Sequence, residues 1–143
     1  MGITFFVELE SGALETLFND AQLIPSLKNM EARLAIGLID LSPQRATVIR
    51  RLNEAGIPLT AWLLLPKADG YWFNLDNSAQ AERRYRDFRT WSAAHGLKWE
   101  GVGLDIEPDI NTLQLIGKNP LAALRKLAAK IRDTARLERA RQV

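Results

Sequence analysis

Cysteine is absent from the 143 residues, which excludes a disulfide framework and any thiolate metal site and fits a reducing, cytoplasmic setting. No apolar run approaches the roughly 20 residues of a membrane span. The opening Met1-Gly2-Ile3-Thr4 carries no basic stretch, so neither an anchor nor a signal peptide is expected. A net charge of +2 is too small to argue for nucleic acid, although the basic residues crowd toward the C-terminus. Low-complexity tracts are also lacking. The chain is 47% hydrophobic, enough for a single domain over 1–143 with a real core.

The most informative stretch is Trp99-Glu100-Gly101-Val102-Gly103-Leu104-Asp105-Ile106-Glu107-Pro108. As a strand it alternates, with Val102, Leu104 and Ile106 on one face and Gly101, Gly103, Asp105 and Glu107 on the other. Two carboxylates at the end of a strand, with glycines beneath them leaving room, are costly unless solvated, paired or used.

Residues 3–10 alternate in the same way and also finish on acids, with Ile3, Phe5, Val7 and Leu9 opposed to Thr4, Phe6, Glu8 and Glu10. Ser11-Gly12 turns the chain into a helical segment over 13–19, and Pro25 is expected to interrupt it, with a further short turn near Leu27. The nearly continuous apolar run at 33–39 reads as a strand covered on both faces and ends at Asp40. Ser42-Pro43 is a capping hydroxyl followed by proline at a first helical position, and Val48, Ile49, Leu52 and Ala55 supply that helix's stripe before Gly56. A third strand over 57–65 puts Trp62 on a face with Thr60 and Leu64. The long loop 67–77 holds Tyr71-Trp72-Phe73, and long loops in compact domains tend to be functional. A helix from Asn77 or Ser78 to about 94 carries an inner stripe of Ala81, Tyr85, Phe88 and Ser92, with Trp91 at its edge and Gly96 as its stop. After Pro108, a loop over 109–118 leads to Asn119-Pro120 and a last amphipathic helix.

Strand and helix therefore alternate four times, which predicts an α/β fold with a parallel sheet, right-handed crossovers and all strand ends on one rim. In a doubly wound sheet both faces are apolar, whereas barrel strands turn polar side chains into the lumen near the C-terminal rim. Glu8, Glu10, Asp105 and Glu107 favour the barrel. A complete barrel takes about 250 residues, so the expectation is four β/α units, half of a TIM barrel or a truncated one. Its partner would be a second copy or a missing second half.

Aligned on its last residue, Glu100-Gly101-Val102-Gly103-Leu104-Asp105-Ile106-Glu107 resembles the strand-four signature of the chitinase-like family 18 glycoside hydrolases, Asp-Gly-x-Asp-x-Asp-x-Glu. The glycine, the final aspartate and the glutamate are kept, while Glu100 and Gly103 replace the other two aspartates. The resemblance implies that Glu107 is the general acid protonating the leaving sugar oxygen, and that Asp105 orients a substrate N-acetyl group that attacks in place of an enzyme nucleophile. Glycosidic cleavage in general needs one carboxyl as proton donor and a second group stabilising the oxocarbenium-like centre. A later-strand carboxylate as nucleophile is equally admissible. Glu8, Glu10, Trp62, Tyr71 and Trp72 are the candidate substrate contacts, the aromatics because their faces suit the apolar faces of pyranose rings.

Each of these residues also has a plain reading. Asp105 and Glu107 fit as rim residues that cap helices or meet arginines, and Glu8 and Glu10 as edge-strand charges. Asp40 reads as a helix-start residue, Tyr71-Trp72-Phe73 as a plug over the barrel end, and His95 as a partner of a helix C-terminus. Three functions are open: a carbohydrate hydrolase with no cofactor, a non-catalytic binding or assembly module, or a metal-dependent enzyme. The last would offer Glu8, Glu10, Asp40, Asp105 and Glu107 to a hard ion such as Mg²⁺, without supporting histidines.

Overall fold

The structure is a computed structural model that describes residues 2–107 and Leu121. The elements are β1 (Thr4–Val7), α1 (Ser11–Phe18), α2 (Leu23–Asn29), β2 (Arg33–Leu38), α3 (Pro43–Glu54), β3 (Leu59–Leu63), α4 (Ser78–His95) and β4 (Gly101–Leu104). Two short 3-10 turns, Lys67–Asp69 and Leu75–Asn77, lie in the connection between β3 and α4. The expected loop over 109–118 and, apart from Leu121, the expected last helix lie outside the described residues.

All four strands are parallel and stand in the order β1-β2-β3-β4. Because each strand neighbours the next, right-handed crossovers set every connecting helix on one face, whereas a doubly wound sheet reverses its strand order and covers both. The sheet is open, with β1 and β4 each paired on one side only among the described residues. No helix among those residues is long and apolar enough to cross a membrane.

Local chemistry explains most boundaries. The Ser42 hydroxyl accepts the Arg45 N–H at 3.2 Å with Pro43 in the first turn of α3, and α4 stops at Gly96 with φ +62°. Two expectations at the start of the chain need correction. The Glu10 carbonyl accepts the Leu14 N–H at 2.9 Å, so Ser11-Gly12 forms the first turn of α1 instead of preceding it. Pro25 is the third residue of α2, where its missing N–H has no intrahelical partner to lose, so it sits within a helix start and interrupts nothing.

One face of the sheet carries the core. Leu34, Ile36 and Leu38 of β2 and Leu59, Ala61 and Leu63 of β3 pack with Leu14 and Phe18 of α1, Val48, Ile49 and Leu52 of α3, and Phe88 and Trp91 of α4. Each such side chain contributes about 1.5–3 kcal/mol by leaving water. The stripe expected on α4 is rotated. Tyr85 is 44% exposed and Trp91 only 8%, because Arg84 takes the inward position and spends its guanidinium on strand carbonyls. The second strand, expected to be covered on both faces, is covered by helices on one; Ala35 and Gly37 on the other face are buried because larger neighbours lie across them.

Candidate functional site

The C-terminal rim is tied together by two arginines. Arg45, fully buried, donates from Nη1 to the Gly37 carbonyl at 2.8 Å and from Nη2 to the Leu9 carbonyl at 2.8 Å and Asp40 Oδ2 at 2.9 Å. Arg84 donates to the Leu64 carbonyl at 2.9 Å and the Leu38 carbonyl at 2.5 Å. Carbonyls at the ends of β1, β2 and β3 have no strand partner beyond the sheet, and two cationic forks satisfy them from the helix side. Burial pushes the Arg84 guanidinium below its usual range, offset in part by Asp87 and Asp40. Asp40 also accepts from the Ser11 hydroxyl at 2.8 Å and from the Ser42 N–H at 3.0 Å. Burial alone would raise its carboxyl, but Arg45, Ser42 and Ser11 hold it well below the usual carboxylate range. It is a helix-start and rim residue.

No helix among the described residues covers the opposite face of the sheet. Phe6, Ala35, Thr60 and Gly101 stand in one register row, and Gly37, Trp62 and Gly103 in the next. Trp62 is thus flanked by a glycine on each neighbouring strand, which leaves its indole lateral room. A Cβ on Gly37 would lie 3.3 Å from Glu8 Cγ and from the Val7 carbonyl oxygen, so the glycine also admits the Glu8 side chain. Phe6 and Trp62 meet edge to face, with centroids 5.8 Å apart and planes at 89°. Phe6 is 72% exposed, and the two rings open into a cavity of about 230 Å³ whose other walls include Thr60, Gly103 and Asp105. A larger cavity of about 610 Å³ lies at the other rim, among Thr4, Lys28, Glu31, Arg33 and Pro58, and has no aromatic lining. The smaller one lies on the sheet face, from the row of Phe6, Ala35 and Thr60 up to Asp105 just past β4, and so reaches toward the C-terminal rim at which parallel α/β folds work.

The loop after β3 builds the upper edge of this face. Its Phe73 N–H donates to the Asp105 carbonyl at 3.0 Å and its carbonyl accepts the Glu107 N–H at 3.1 Å, a one-residue parallel bridge that extends the end of β4. The Asn77 side chain braces the loop by donating to the Asp69 and Trp72 carbonyls at 3.1 and 2.8 Å and accepting the Asn74 N–H at 2.8 Å. Tyr71 has φ +66°, a conformation bulky residues seldom adopt, and its carbonyl accepts the Leu65 N–H at 2.9 Å. Its hydroxyl reaches back across the sheet and donates to Glu8 Oε1. Burial, that hydrogen bond and the charges of Glu8 and Glu10 push the phenol up to about 12.

The fold therefore joins Glu8 to Tyr71, Tyr71 to Trp72 by a ring contact of 5.7 Å, and Trp62 to Asp105 across the cavity. Glu10 starts α1 through its carbonyl and reaches Tyr71 only through its charge. The aromatic triplet divides: Phe73 is buried in the core as a plug, while Tyr71 and Trp72 stay partly exposed. Among the described residues no hydrogen bond or ion pair engages the carboxylates of Asp105 or Glu107. No three His, Cys, Asp or Glu residues among them converge as metal ligands. His95 closes α4 and touches the Trp91 ring at 5.9 Å.

Sequence reasoning placed Phe6 on the correct face without singling it out, and it missed Arg45 and Arg84. The signal for the arginines was present, because Arg45 precedes Val48, Ile49 and Leu52, and Arg84 precedes Phe88 and Trp91, at the spacing of the buried stripe. No family model, curated protein or solved structure matches the chain.

Proposed function

We propose that the chain is a carbohydrate-directed hydrolase built from four β/α units of a half or truncated TIM barrel, with Glu107 as proton donor and Asp105 as the neighbouring substrate-orienting carboxylate. The observation that carries this reading is the exposed Phe6–Trp62 aromatic corner on the sheet face opposite the core helices, walled by Asp105 at the strand end that leads to Glu107. Aromatic faces take up the apolar faces of sugar rings, and a carboxyl group above them is where a glycosidic oxygen needs its proton. Glu8, hydrogen-bonded to Tyr71, stands just past β1 beside this face, and Trp72 touches the Tyr71 ring.

General-acid catalysis makes a specific kinetic demand. A Glu107→Gln chain loses about 10²–10⁴-fold on substrates with poor leaving groups, and much less on activated nitrophenyl glycosides, whose departure needs no proton. Equal losses on both would assign Glu107 a structural role.

A second reading is favoured by the openness of the sheet. With Phe6 72% exposed and the edges of β1 and β4 unpaired among the described residues, the same face serves a binding or assembly module that holds sugar without cleaving it. Saturable oligosaccharide binding with no turnover distinguishes this from the hydrolase.

A further inference from the structure

We propose that the corner formed by Phe6, Trp62 and Asp105 is a binding site for an organic cation, an alkylammonium group. Two aromatic rings at 89° with centroids 5.8 Å apart make two walls of a cage, and Asp105 makes a third. Aromatic faces carry negative potential, so perpendicular rings that leave a common corner open attract a cation, and methylated ammonium groups, weakly hydrated and apolar at their surface, suit such a corner best. The carboxylate adds a full charge. Among the described residues it has no hydrogen-bond or ion-pair partner, and among them no lysine or arginine lines the cavity.

The neighbouring groups agree in sign. Arg33 shares this face of β2 but lies at the opposite end of the strand, paired with Glu100 at 3.2 Å. Glu8 stands at the near end of β1, hydrogen-bonded to Tyr71. The floor is kept clear because Gly103 lies beside Trp62 in register, and Thr60 adds one hydroxyl to the wall. A neutral apolar ligand would gain the aromatic contact and lose water from the Asp105 carboxylate without replacing it. A cation satisfies both.

The cation site uses the same corner as the hydrolase reading but does not rest on that reading, and one experiment separates them. The full chain is titrated by calorimetry with choline and with 3,3-dimethylbutan-1-ol, its neutral isostere, alongside neutral oligosaccharides. Choline binds at least about tenfold more tightly than the isostere, and Asp105→Asn and Phe6→Leu each weaken it about threefold or more, while a thermal melt confirms that each variant is folded. Phe6→Leu is chosen because an exposed side chain tolerates exchange and leucine keeps the apolar volume without the ring face. Equal binding of choline and isostere, no choline binding at millimolar concentration, or choline binding that neither variant weakens overturns the cation site. Neutral oligosaccharides that bind and are cleaved while choline does not bind overturn it and leave the hydrolase standing. Choline binding without turnover of any sugar does the reverse.

Discussion

Replacing Arg45 by methionine tests whether this side chain holds the rim together. It is fully buried and makes three hydrogen bonds, to the carbonyls of Leu9 and Gly37 and to Asp40. Methionine refills much of the apolar volume but supplies no donor, so two strand-end carbonyls lose the guanidinium at once and the Asp40 carboxylate is left with only Ser11 and Ser42. Breaking a buried pair from one side costs about 3–5 kcal/mol. The Asp40 side chain is 34% exposed and recovers part of its solvation, which places the expected loss at the lower end, about 3 kcal/mol. For a chain of this size that lowers the melting temperature by roughly 10 °C. Urea unfolding of wild type and Arg45→Met, with the exposed Arg50→Met of the same helix as control, reads the difference directly. The control is expected within about 0.5 kcal/mol of wild type. An Arg45→Met chain within about 1 kcal/mol of wild type would refute the claim that this guanidinium joins β1 to β2.

Three further outcomes are expected from the same contacts. Asp40 is held below its unfolded value near 3.9, so its contribution is complete above about pH 4 and is lost as pH falls through the folded value; Asp40→Asn removes that portion of the acid slope in urea midpoints between pH 6 and 2. Tyr71 is raised to about 12, so its contribution is complete below about pH 10 and fades between 10 and 12. In a Tyr85→Phe background, ultraviolet titration of Tyr71 moves down toward its ordinary value of about 10 when Glu8 becomes glutamine. Gly37→Ala drives a Cβ to within 3.3 Å of Glu8 Cγ and the Val7 backbone; a loss of about 1–3 kcal/mol in a thermal melt is expected, together with a shifted Tyr71 titration as Glu8 is displaced.

Periodicity made the sheet legible. The alternation in residues 3–10 and 99–108 placed Phe6 and Glu8 on one face with Gly103 and Asp105, and the cap-then-proline at Ser42-Pro43 located the start of α3, because both signals are set by backbone geometry within a few residues. The turn of α4 about its axis was not legible. Hydrophobicity prefers Tyr85 to Arg84 inside, and only the unpaired carbonyls at the ends of β2 and β3 reverse that preference. The same long-range demand draws Arg45 into an apolar stripe. The link from Tyr71 to Glu8 spans 63 residues and rests on a left-handed backbone at Tyr71, which no local pattern announces. Glycines opposite one another in register, Gly37 and Gly103 about Trp62, become meaningful only once the strands are aligned.

Whether Glu107 protonates a leaving sugar is read most plainly from reducing-end release on a panel of oligosaccharides, by the wild-type chain and by Glu107→Gln, purified in parallel and matched in thermal stability. Release by wild type from at least one member of the panel, and none above background from the variant, is the expected result. Equal release by both, or none by wild type at high enzyme concentration, would contradict the assignment of Glu107 as the proton donor.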